Sequence, residues 1–249
     1  MRRTPAHAST TFALALVMLG CHSAERAPTD RLQPSSPPAD EPLVDVAAID
    51  PRIVIDLHYA TSNNFTGEQL YPVARCLLRA RVAERLKRVQ DRLSKQGLGL
   101  KIWDAYRPLS VQKKMWALVP NEDYVANPAK GSRHNRGCAV DVTLVDSAGH
   151  ELQMPTAFDT FSPAAHRDYA GGTRTARRNR RTLERAMQAE GFTGLKTEWW
   201  HFDAPDWQVY PVLDVPLAAV RPSAPAADYG GQIRLAPFQT CAVFTPFSN

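Results

Sequence analysis

The chain of 249 residues shows no internal repeat, which excludes solenoid and propeller architectures. It has no strong excess of either charge: 30 Lys and Arg stand against 25 Asp and Glu, a formal +5. Setting aside residues 1–20, which carry Arg2 and Arg3 and no acid, leaves 28 against 25, or +3. That balance is too mild and too mixed to argue for nucleic acid as a partner. The densest basic run, Arg174 to Arg185, includes Glu184 and reads as the solvated face of a helix. Cysteine is scarce, with four in the chain. What remains is ordinary for a globular protein, at 44% hydrophobic and 22% charged residues. The length suits one domain with appendages, or two small domains at most.

The ends differ from the middle. Arg2 and Arg3 precede an apolar run, Phe12 to Leu19, that suits a secretion signal and is too short for a permanent membrane span. The signal ends Val17-Met18-Leu19-Gly20-Cys21, which resembles a bacterial lipoprotein signal and implies lipidation of Cys21. The expected location is the periplasm or cell envelope, with a lipid anchor in a bacterial membrane. Residues 21–50 are rich in Pro, Ala, Ser and Asp and read as a flexible tether. The domain proper is expected over 51–215. Residues 216–249, with five prolines and many alanines, read as a loosely ordered extension.

Within the domain, Leu78, Val82, Leu86, Val89 and Leu93 recur at helical spacing, so a helix is expected from Leu78 to Gln96, where Gly97 stops it. Strands are expected near Ile53 to Leu57, Leu98 to Asp104 and Gly137 to Val145. Further helices are expected over Ser110 to Leu118 and within Thr173 to Glu190. In the Gly137 strand, Cys138, Val140, Val142 and Leu144 would face a core, and Ala139, Asp141 and Thr143 a cleft. Glu198 to Phe202 reads as strand-like. Residues three apart on a strand face opposite ways, so a shared site for Glu198 and His201 requires a bend or bulge. If Cys21 is lipidated, Cys138 reads as a buried thiol, while Cys76 and Cys241 are candidates for a disulfide that the sequence alone cannot establish.

Two motifs carry chemistry. Ser132-x-His134-x-x-Gly137-x-Ala139-x-Asp141 sets a histidine and an aspartate seven apart, and Glu198-x-x-His201 adds a second histidine and a further carboxylate. Two histidines and one aspartate are the kind of set a catalytic zinc takes, with a fourth position left for water. Glu198 would serve as general base and acid. His58, His150 and His166 read as structural.

These motifs resemble the zinc peptidases grouped with D-Ala-D-Ala carboxypeptidases and the hedgehog-type fold. Tyr59-Ala60-Thr61, Asn64-Phe65-Thr66-Gly67, Trp103-Asp104-Ala105-Tyr106-Arg107-Pro108 and Glu198-Trp199-Trp200-His201 narrow the likeness to VanX-type D-alanyl-D-alanine dipeptidases, over about residues 51 to 214. The resemblance implies an α+β fold, a small, mostly antiparallel sheet flanked by helices. It implies one Zn2+ per chain on His134, Asp141 and His201, with Glu198 and Arg107 catalytic. Ser132, Asp159 and Tyr59 match substrate-contacting positions, Asp159 near the free amino group of a small dipeptide. The implied reaction is hydrolysis of D-Ala-D-Ala to D-alanine. A carboxypeptidase or endopeptidase acting on peptidoglycan stems would use the same zinc site with an open cleft. A zinc-binding domain without catalysis is the third alternative, against which Glu198 and Arg107 argue. No protein partner is implied.

Overall fold

The structure, a computed structural model, describes residues 40–221. The signal, Cys21, most of the tether, Cys241 and residues 222–249 lie outside the described residues. Among the described residues no helix is long and apolar enough to cross a membrane.

Short extended segments alternate with helices in the order β1 (Leu43–Asp45), α1 (Val46–Ile49), β2 (Val54–Ile55), β3 (Leu77–Arg79), α2 (Ala80–Ser94), β4 (Leu98–Asp104), α3 (Leu109–Leu118), β5 (Ala139–Asp146), α4 (Arg174–Gln188), β6 (Thr193–Gly194) and β7 (His201–Asp203). Five of the strands form one sheet in the order β2-β4-β5-β7-β6. β2 runs parallel to β4, and every other pairing in it is antiparallel. β1 and β3 form a separate antiparallel pair. This is the expected mixed fold, with a small, mostly antiparallel sheet and a few helices.

The apolar stripe of α2 explains its placement: Val82, Leu86, Val89 and Leu93 are buried, and the helix packs on β4. Leu78, at the head of the expected helix, instead lies in β3, paired with Val44. The helix therefore begins only at Ala80. α4 begins at Arg174 because Thr173 caps it, its hydroxyl accepting from the Ala176 N–H at 3.0 Å.

The described fold reaches past the expected limits of 51–215 at both ends. Residues 43–49, expected within the tether, form β1 and α1, with Leu43, Val44 and Val46 buried. Composition hid this segment because its order comes from pairing with β3, more than thirty residues on. At the other end Leu217 is buried, and Arg75 donates to its carbonyl at 3.1 Å.

Two features of the large sheet matter for function. β5 is its central strand, with Ala139 to Val145 all buried, so the expected cleft face is buried at Ala139 and Thr143 as well. Asp141 is the residue of that face that lines the cavity described below. Between Ile102 and Asp104 the pairing of β4 with β5 slips: Ile102 opposes Val142, but Asp104 opposes Asp141. Trp103 is the extra residue of a bulge. Asp141 in turn opposes His201 on β7. Asp104, Asp141 and His201 thus stand in a row across three adjacent strands.

Candidate metal centre and active site

The Ser132 motif folds as a short 3-10 turn, His134–Arg136, leading into β5. Ser132 fixes its start, with its hydroxyl accepting from the His134 N–H at 3.2 Å and its own N–H donating to Asn135 Oδ1 at 2.8 Å. Asn135 Nδ2 donates to the Arg107 carbonyl at 2.8 Å, and the Arg107 N–H donates to the His134 carbonyl at 3.1 Å. The two motif segments are therefore stapled through their backbones. Gly137 ends the turn at φ +70°. A Cβ there would lie 2.6 Å from Leu43 Cδ2, so both backbone conformation and the close packing of β1 require glycine.

Glu198 directly precedes a bend at Trp199 and Trp200, and β7 begins only at His201. The tension between Glu198 and His201 is thereby resolved by a bend. The neighbouring indoles hold that bend: Trp199 and Trp200 are both buried, Trp199 Nε1 donates to Thr156 Oγ1 at 2.9 Å, and its N–H donates to the Ala165 carbonyl at 2.9 Å.

His134, Asp141 and His201 converge, with ligand atoms all within 4.8 Å of one another. His134 Nε2 is 3.2 Å from His201 Nδ1. Asp141 lies 3.0 Å from His201 Nδ1 and 3.5 Å from His134 Nε2. The opposite edge of each ring is already committed. His134 Nδ1 lies 2.7 Å from the Ala105 carbonyl, which can only accept, and His201 Nε2 lies 2.9 Å from Asp203 Oδ1. The network assigns the protons to those outer nitrogens. Two bare imidazole nitrogens and a carboxylate then point at one another, an arrangement that repels itself unless a cation sits between them. Tetrahedral zinc, with bonds of about 2.0–2.2 Å, spaces its ligand atoms by roughly 3.3–3.5 Å, close to the spacing seen. The donor set fits Zn2+.

Without the ion, a proton answers the same demand for positive charge. Burial would lower the His201 imidazole, but its hydrogen bonds with Asp141 and Asp203 push it up to about 10. Burial would raise Asp141, but His134 and His201 hold it well below the usual carboxylate range. Both directions express the same demand for positive charge at this point.

A cavity of about 240 Å³ opens over these ligands. All eight expected site residues border it: Tyr59, Arg107, Ser132, His134, Asp141, Asp159, Glu198 and His201. Glu198 Oε2 is 3.9 Å from His201 Nδ1, and burial, with Asp141 nearby, pushes its carboxyl up to about 6. Burial and Asp141 push Asp159 well above the ordinary range. Asp159 adopts φ +54° and accepts from the Tyr59 hydroxyl at 3.0 Å. The Arg107 guanidinium lies 5.1 Å from the centre of the Tyr59 ring.

Sequence reasoning missed the supports. Asp104, fully buried, accepts from Arg107 Nε and Nη2 and from the Tyr71 hydroxyl. Gln112 accepts from Arg107 Nη1 at 2.7 Å. Asp203 stands behind His201. The cavity wall also includes residues 122–126, to which no role was given, and there Tyr124 stacks on Phe161 with ring centres 4.5 Å apart. An aspartate three residues before the arginine was the available signal for Asp104.

Comparison with known proteins follows the same line. The family model of the D-ala-D-ala dipeptidases, Peptidase_M15, matches residues 39–216. A D-alanyl-D-alanine dipeptidase of Escherichia coli (strain K12) is 40% identical over 171 residues, covering 69% of this chain and 89% of the relative. One from Enterococcus faecium is 33% identical over 168 residues, covering 59% and 83%. Among solved structures, a vancomycin-resistance D,D-pentapeptidase, VanY, in complex with Zn(II) is 18% identical with a TM-score of 0.35, covering 53% of this chain and 75% of that one. On the family match and the Escherichia coli relative, the chain belongs to the D-Ala-D-Ala dipeptidase family.

Proposed function

We propose that the chain hydrolyses free D-Ala-D-Ala to two molecules of D-alanine at one zinc held by His134, Asp141 and His201. The observation that carries this reading is the convergence of three potential ligand atoms beside a buried carboxylate, Glu198, in a small cavity. A bound zinc supplies a nucleophile from water at neutral pH. Glu198 removes a proton from the attacking water and returns it to the departing amine. Its raised pKa suits both halves of that task, because a carboxylate that binds its proton too weakly takes it poorly from water, and one that binds it too tightly would not release it to the amine.

Arg107 is the donor for the carbonyl oxygen as that atom gains charge. Its bonds to Asp104 and Gln112 engage Nε, Nη1 and Nη2, yet each Nη carries a second N–H. The guanidinium is thus held in place with donors to spare, the preorganisation that such stabilisation needs. Asp159 is the partner for the substrate ammonium. Burying a carboxylate is costly, and an incoming ammonium offsets the cost where a neutral amide cannot. Ser132 shapes the wall beside His134, and Tyr59 holds Asp159 by its hydroxyl.

The place of action is part of the proposal. The charged start, short apolar run and Cys21 support export and lipid attachment at the cell envelope, where cell-wall dipeptide would be met.

The test is direct. Zinc-loaded protein should release D-alanine from D-Ala-D-Ala, and Glu198→Ala should keep one zinc per chain and lose nearly all turnover. Near-wild-type turnover in that variant would place the base elsewhere.

A further inference from the structure

His201 and Asp203 lie two apart on β7, so both side chains project from the same face of the strand. Asp203 Oδ1 lies 2.9 Å from His201 Nε2. On its far side, Asp203 Oδ2 is 3.6 Å from Arg133 Nε. The Arg133 guanidinium lies 4.7 Å from the centre of the Trp207 ring, and that of Arg136 lies 5.5 Å from the same ring. A chain of contacts thus runs from the site to the indole of the segment after β7.

Resting on the zinc reading above, we propose that Asp203 is a positioning residue for the metal centre: it holds the His201 proton on Nε2 and so presents Nδ1 to the ion, with Arg133 steadying the carboxylate. The two histidines differ in how this is achieved. His134 is oriented first by the Ala105 backbone carbonyl at 2.7 Å, which no side-chain substitution removes, with Asp104 Oδ2 farther off at 3.4 Å. His201 relies on a side chain. Half a turn about its Cβ–Cγ bond would put Cδ2 where Nδ1 now stands, and a carbon cannot bind the ion. A proton on Nδ1 would block it as well. The bond to Asp203 opposes both, because it needs nitrogen and hydrogen together at the Nε2 position. Asp203 is itself buried, so bulk water is a poor substitute for it. Partners of this kind typically contribute 10–100-fold in metal affinity.

The experiment measures zinc affinity of the full chain by competition with a chromophoric chelator, alongside melting of the metal-free protein. Asp203→Ala should bind zinc roughly 10–100-fold more weakly. Asp203→Asn, which keeps the shape and one accepting oxygen, should fall between it and the wild type. Metal-free melting should change far less than zinc affinity. If the alanine variant does not fold, the asparagine variant decides: a several-fold loss supports the role, and an affinity within twofold of wild type overturns it. Wild-type zinc binding that is lost in His134→Ala yet unchanged in both Asp203 variants would remove Asp203 while leaving the metal site in place. A wild type that binds no zinc would overturn the site and Asp203's role together.

Discussion

Arg107 donates from two nitrogens to a single oxygen of Asp104, Nη2 at 2.5 Å and Nε at 3.1 Å, in a pair that is almost wholly buried. Asp104 is opposite Asp141 only because of the bulge at Trp103, so the sheet irregularity also aims the arginine. Removing Arg107 should do two separable kinds of damage. Turnover should fall about 10²–10³-fold through the lost donor. Stability should fall by about 3–5 kcal/mol, because Asp104 is left as an uncompensated buried charge. Adding Asp104→Asn to Arg107→Ala should recover part of the stability and none of the turnover. Urea unfolding and steady-state rates on the three variants check this; a double variant no more stable than Arg107→Ala would contradict it.

Asp159 should reveal a cost of function. Its carboxyl is held well above the ordinary range by burial and by Asp141, so the folded chain keeps a proton that the unfolded chain has lost. Stability therefore falls as pH rises from the unfolded carboxylate pKa through the folded one. Asp159→Asn removes the titration, and asparagine tolerates the φ of +54° found there. The variant should melt above wild type at about pH 7, and the gap should close as pH drops to about 3, below the unfolded aspartate pKa. Equal melting curves at neutral pH would mean that the carboxyl bears no burial cost.

The N-terminus makes its own prediction. If Cys21 carries lipid, the mature protein should partition with membranes, and Cys21→Ser should release it or block its processing. Equal soluble fractions for the two forms would favour plain signal cleavage.

The parts of the site that were legible in the sequence are those whose geometry is local. His134 to Asp141 is one turn running into one strand, so their spacing carries their placement. Glu198 and His201 were legible as a pair, but the bend between them was not, because it depends on Trp199 and Trp200 being anchored in the core. Asp104 and Asp203 stayed silent for a different reason. An aspartate has no recognisable role until register shows what it faces, and here the bulge at Trp103 and the pairing of β5 with β7 decide that. β1 was hidden likewise, since Leu43 to Asp45 become a strand through β3 and not through any periodicity of their own. The long helices and their buried faces were readable from spacing alone, to within two residues at each end.

The selection of a free ammonium next to the scissile bond by the buried Asp159 carboxylate, as proposed above, is what would separate a dipeptidase from a stem-peptide carboxypeptidase. The most direct measurement is kcat/KM of one zinc-loaded preparation on D-Ala-D-Ala and on N-acetyl-D-Ala-D-Ala. The acetylated substrate puts a neutral amide where Asp159 would meet a cation, so it loses the charge pairing, and it must also find room for the added acetyl group. The predicted result is ready hydrolysis of the free dipeptide and near-silence on the acetylated one, with Asp159→Ala narrowing the gap. Efficient cleavage of N-acetyl-D-Ala-D-Ala by the wild type would contradict it.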